Sequence, residues 1–106
     1  MEINNIFASI PSEMNDEIFE VIAQNSVVKI ERIISYGHRS PASGWYDQIQ
    51  HEWVMVVQGT AILEFEGDEA VTLQAGDYLN IPAHTKHKVT WTTPDMETIW
   101  LAIHYE

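Results

Sequence analysis

The sequence predicts an all-β domain built as a sandwich or barrel, and three observations carry that prediction. Short β-rich runs follow one another at close intervals from Glu52 onward. Turn chemistry separates them, at Gln58-Gly59, Gly67-Asp68, Ala75-Gly76-Asp77 and Thr93-Pro94-Asp95. Apolar residues alternate with polar ones along the stretch after Pro82, as a half-buried strand requires. At 106 residues the chain is expected to form one domain, residues 1–106, of a size that can hold its own core.

Taken in order, Met1 to Pro11 carries scattered apolar residues without a period, and residues 1–17 are expected to form an arm packed on the body. Ser12 to Glu17 could cap a short helix, but Ile18-Phe19-Glu20-Val21-Ile22 is good strand material and strand is the expectation. Val27 to Ser35 mixes charge with β-branched residues, as a strand with one wet face does. Tyr36 to Gly44 is rich in Gly, Ser and Pro and reads as a loop, with a short strand expected at Trp45 to Gln48.

The next strands are expected at Glu52 to Val57, Thr60 to Glu66, Ala70 to Gln74, Tyr78 to Ile81, His87 to Thr92 and Glu97 to Tyr105. Gly67-Asp68 suits a two-residue hairpin with glycine first. Period-two facing sets His87, Val89 and Trp91 together on the interior side. It also groups Thr98, Trp100, Ala102 and His104 against Ile99, Leu101, Ile103 and Tyr105. Trp53-Val54-Met55-Val56-Val57 is apolar on both faces, so a second copy of the chain is expected to cover one of them and give a homodimer.

Five Lys and Arg against sixteen Asp and Glu give a net charge of −11, which argues against nucleic acid or an anionic membrane as partner. Glu64, Glu66, Asp68 and Glu69 read as a solvated hairpin tip. There is no cysteine, so disulfides and thiolate metal sites are excluded. The longest apolar run falls far short of the roughly 18 residues of a membrane helix, and a cytoplasmic, soluble protein is expected.

Chemistry centres on Glu52, which opens the strand ending at Gly59, and on His87. An imidazole and a carboxylate converging in a barrel could hold a divalent ion with an open position. Asp47 and Gln48 are the candidates for a third ligand, Asp47 the stronger; His51, His84 and His104 are further possibilities. Tyr46, His84 and Trp91 are expected to line the pocket, with Tyr46 or His84 placed for proton transfer.

Glu52 to Gly59 resembles the second half of the first cupin motif, HxH(x)3-4E(x)6G, and Gly76 to His87 resembles the second, G(x)5PxGxxH, with His84 at its second glycine. The resemblance implies a double-stranded β-helix, a jelly-roll barrel, with Glu52 and His87 at two of four metal-ligand positions. The HxH positions fall on Tyr46 and Gln48, or with the longer spacing on Trp45 and Asp47. The leading expectation is a pocket for a small organic molecule with a divalent transition metal (Fe, Zn, Ni or Mn) on Glu52, His87 and one of Asp47 or Gln48. A metal-free binding or sensing module and a structural dimer with a vestigial pocket are the competing expectations.

Overall fold

The computed structural model describes residues 1–106, and its only regular elements are eight antiparallel strands. They are β1 (Ile18–Gln24), β2 (Val28–Ser35), β3 (His51–Gln58), β4 (Thr60–Phe65), β5 (Val71–Gln74), β6 (Tyr78–Ile81), β7 (His87–Thr92) and β8 (Thr98–Tyr105). Five form one sheet in the order β1-β2-β8-β3-β6, and three form the other in the order β5-β4-β7. Apart from β1–β2 and β4–β5, the paired strands are distant in sequence, as in β2–β8, β8–β3, β3–β6 and β4–β7, so this is a jelly roll rather than a meander. No helix is long and apolar enough to cross a membrane.

The two sheets close on an apolar core of Val54, Val56, Ala61, Leu63, Leu73, Ile81, Trp100 and Ala102. Alternation along β3 is clean: Glu52, Val54 and Val56 are buried, whereas Trp53, Met55 and Val57 are half-buried. Trp53 and Met55 stand opposite Ile103 and Leu101 of β8, so an apolar strip runs along the outside of the larger sheet. The chain passes between sheets at Gly59, whose φ of +90° suits glycine. A Cβ there would lie 2.9 Å from the Thr98 backbone, so this turn has no room for a side chain.

The arm is held from the body by a buried arginine. Arg32 donates Nη1 to the carbonyls of Ile6 and Ala8 and pairs both oxygens of Glu20 through Nη2, at 2.8 and 3.0 Å. Residues Ser12 to Glu17 take no helical turn, and the strand begins at Ile18.

Three local readings change. The stretch from Trp45 to Gln48 makes only a single bridge, Tyr46 to His87, because Tyr46 and Ser40 each pair by backbone with β7 as parts of a loop. The β4–β5 turn places Gly67 third rather than first, with Asp68 N–H donating to the Phe65 carbonyl and Gly67 at φ +77°. Finally, Leu63 faces Val89 and Ile62 faces Trp91, which leaves Thr90 as an extra residue in β7. This bulge reverses the facing beyond it, so Thr92 is buried and Trp91 turns out to solvent.

Candidate functional site

Glu52 lies near the start of β3 in the larger sheet, and His87 opens β7 in the smaller one. The barrel brings them together, with His87 Nε2 3.2 Å from Glu52 Oε1 and both residues buried. A carbonyl can only accept, so His87 Nδ1 donates to Thr85 O at 2.8 Å, and Nε2 is left for the carboxylate. Burial pulls the His87 pKa down, but the Glu52 hydrogen bond, the Thr85 carbonyl and the Glu52 charge outweigh it and raise the value above the ordinary one. The rings of Tyr46 and Phe65 flank the imidazole, at 5.6 and 6.2 Å between centroids.

A second pair adjoins the first. His104, opposite Glu52 in the β3–β8 register, has its Nε2 2.8 Å from Glu31 Oε1 and 3.7 Å from Glu52 Oε2. Both neighbours of that nitrogen are carboxylates, so it carries a proton and donates to Glu31. Glu31 and His104 are 8% and 7% exposed, as buried as the first pair. Four titratable side chains from β2, β3, β7 and β8 therefore run in one chain, His87, Glu52, His104, Glu31.

They line a cavity of about 260 Å³, small beside the roughly 300–1,000 Å³ of drug-sized sites. Its wall also includes Tyr46, Gln48, Glu17 and Lys29. The Tyr46 phenol is pushed up, first by burial and then by the carboxylates of Glu17, Glu52 and Glu31, against a downward pull from a Ser40 hydrogen bond. It keeps its proton at neutral pH and serves as a donor. Gln48 Oε1 and Trp100 Nε1, on two cavity-wall residues, are buried without a hydrogen-bond partner.

Of the residues singled out in the sequence, Tyr46, Gln48, Glu52, His87 and His104 meet at this cavity. Asp47 and His84 do not. Asp47, between the inward-facing Tyr46 and Gln48, points outward and pairs with His84 Nδ1 at 2.9 Å, with both side chains well exposed. His84 is thus a rim residue rather than a cavity-wall residue, and Trp91 is removed from the wall by the β7 bulge. His51 accepts the Ala83 N–H on Nδ1 at 3.0 Å and braces the bend after Pro82.

Sequence reasoning gave Glu31 no role and offered His104 only as a further possibility for a third ligand. The usable signal was alternation, which put His104 on the same face as Trp100 and Ala102, both buried.

The donor set does not fit a cupin-type metal centre. Tyr46 and Gln48 offer a neutral phenol and an amide where two imidazoles would be needed, and Asp47 faces away. Glu52 and His87 are hydrogen-bonded to each other, and no group of three or more His, Asp and Glu is arranged to hold an ion. The arrangement can instead carry protons and hydrogen-bond a small ligand.

Comparisons agree with this architecture. Residues 35–104 match the family model described as a cupin domain. A Ralstonia eutropha JMP134 structure, provisionally described as a mannose-6-phosphate isomerase, is 46% identical with TM-score 0.94, covering 100% of this chain and 99% of its own. A cupin superfamily protein from Desulfitobacterium hafniense DCB-2 is 22% identical with TM-score 0.75, over 91% of this chain and 83% of that one. An RmlC-like cupin with a double-stranded β-helix fold, from Methanocaldococcus jannaschii, is 13% identical with TM-score 0.71, over 92% and 86%. No curated protein sequence matches the chain.

Proposed function

The chain belongs to the cupin-domain family, and from that premise we propose that its barrel binds a small organic molecule and that the Glu52–His87 pair moves a proton on it. One observation carries the reading: a buried carboxylate and a buried imidazole, 3.2 Å apart, side by side on the wall of a cavity of about 260 Å³. Such a pair holds a mobile proton between Oε1 and Nε2, and in a dry site its charge effects are stronger than in water.

The reaction class this supports is proton transfer at a carbon next to a carbonyl. The pair takes the C–H proton, the electron pair moves into the carbon–carbon bond, and the carbonyl π pair moves onto oxygen. Tyr46, still protonated, donates a hydrogen bond to that oxygen as charge develops. The proton of the neighbouring hydroxyl passes to that oxygen, the electrons left on the hydroxyl oxygen form the new carbonyl, and the abstracted proton is returned to the former carbonyl carbon, which completes an isomerisation with no net change of atoms or electrons. The isomerase description of the Ralstonia eutropha relative supports the class.

The test is proton NMR in deuterium oxide with a panel of hydroxyaldehydes and ketoses that includes mannose and mannose 6-phosphate. Deuterium should enter beside the carbonyl with the wild type and not with Glu52→Gln or His87→Asn. Binding without exchange across the panel would leave a metal-free binding module instead. A divalent metal stands outside the proposal: elemental analysis of untagged protein should find no stoichiometric Fe, Zn, Ni or Mn. A full equivalent of metal, lost in His87→Ala, would replace this reading with a metal centre.

Two further proposals complete the picture. The apolar strip of Trp53, Met55, Leu101 and Ile103 supports a homodimer, and a sedimentation mass at the monomer value of 12.2 kDa would remove it. The cysteine-free composition suits a cytoplasmic protein.

A further inference from the structure

We propose that Glu31 and His104 form a second ligand-contacting pair of the barrel, and that the two pairs together select a small neutral compound bearing adjacent hydroxyl and carbonyl groups. The proposal rests on the reading of the cavity as the functional site and names its remaining half and its ligand class.

Placement comes first. Glu31 and His104 line the same cavity as Glu52 and His87, come from different strands, and are as buried as that pair. Glu31 touches nothing that requires burial of a charge for the fold: it neither ties down the arm, which Arg32 does, nor caps a turn. Its contacts are His104 at 2.8 Å and Lys29 at 3.8 Å. Keeping a carboxylate and an imidazole dry without a structural task is costly, and a pocket use accounts for it.

Charge then selects the ligand class. Glu17, Glu31 and Glu52 all line the cavity, and Lys29 is the single Lys or Arg there, half-exposed and already beside Glu31. A dianionic phosphate inside this wall would meet three carboxylates, so the body of the ligand is neutral. Hydrogen-bond chemistry narrows it further. The carboxylates of Glu17, Glu31 and Glu52 only accept, whereas the protonated Tyr46 phenol on the same wall donates. A hydroxyl both donates and accepts, whereas an ionised carboxylate or phosphate would have no proton to give the three carboxylates. The cavity volume of about 260 Å³ is roughly nine times the ~30 Å³ share of one liquid water, room for a small sugar or hydroxyketone.

The experiment follows the histidine side-chain ¹⁵N resonances of the intact chain while dihydroxyacetone, mannose and mannose 6-phosphate are added separately. The signals of His87 and His104 should move together along one saturation curve with the neutral compounds. Affinity for mannose 6-phosphate should be lower, and Glu31→Gln and His104→Asn should each weaken neutral-ligand binding about tenfold or more. Deuterium exchange assayed in the same variants separates the two readings. Saturation that shifts His87 alone, or variants that bind as the wild type does, would overturn the second pair while leaving the Glu52–His87 reading standing. Tighter binding of the phosphate than of mannose would overturn the ligand class. No shift of either imidazole with any of the three would overturn both. Circular dichroism of Glu31→Gln and His104→Asn guards against loss of fold, and the wild-type titration decides the matter if either variant unfolds.

Discussion

Two histidine–carboxylate pairs in this chain have nearly the same geometry and opposite surroundings. At the rim, His84 and Asp47 approach to 2.9 Å with their side chains 65% and 43% exposed. Inside, His87 and Glu52 stand at 3.2 Å with side chains 5% and 10% exposed. The shorter contact is the weaker one, because water screens the rim pair and the loss of side-chain freedom offsets what remains. Distance therefore does not mark a site here. What marks it is that the interior pair cannot turn to solvent, touches a second imidazole, and borders a cavity.

The sharpest way to break this contrast is to remove one carboxylate from each pair. Glu52→Ala leaves His87 Nε2 without the oxygen it faces and takes from His104 the farther of its two carboxylate neighbours. Unfolding by urea should show a loss of about 3–5 kcal/mol, the usual cost of breaking a buried pair from one side. Asp47→Ala should cost about 0–1 kcal/mol, as exposed pairs do. Equal losses from the two substitutions would mean that burial does not distinguish them.

A smaller effect comes from pH. The folded His87 pKa lies above its unfolded value near 6.5, so the imidazolium stabilises the native state. That contribution is fully present below pH 6.5 and disappears as pH rises through the raised folded value. The stability gap between wild type and His87→Asn should therefore be widest in mild acid and narrow towards alkaline pH. A gap that widened with pH would mean that His87 is held neutral, with desolvation as the winning effect.

The contrast was only half legible in the sequence. The strands were, because β-rich runs and Gly, Asp and Pro turns are local signals; Tyr78 to Ile81 and His87 to Thr92 begin and end where expected. So was the inward facing of Glu52 and His87. The Thr90 bulge was not, because no glycine or proline marks it, and strict alternation carried Trp91 to the wrong face. Nor was the Glu31–His104 pair, since its members are 73 residues apart and meet only because β8 inserts between β2 and β3. Alternation tells which way a side chain points, but the partner across the barrel depends on strand order. The same limit hid the difference between Asp47 and Gln48. One residue of offset sends Gln48 to the cavity wall and Asp47 to the rim.

The smallest effect separates the backbone of the rim pair from its charge. His84 has φ +62°, in the left-handed region, at the position where the cupin motif carries glycine. Histidine tolerates that region better than most residues, but a Cβ there still costs roughly 1 kcal/mol. His84→Gly removes the strain and the Asp47 contact together, adding some unfolded-state entropy, so its net change should lie within about 1 kcal/mol of zero. His84→Ala loses the pair yet keeps the strain, and should be less stable than His84→Gly by about 1 kcal/mol. If Ala equalled Gly, the bend after Pro82 would not need its left-handed turn. If both fell by several kcal/mol, the exposed pair with Asp47 would be contributing like a buried one, and the contrast between rim and interior would be lost.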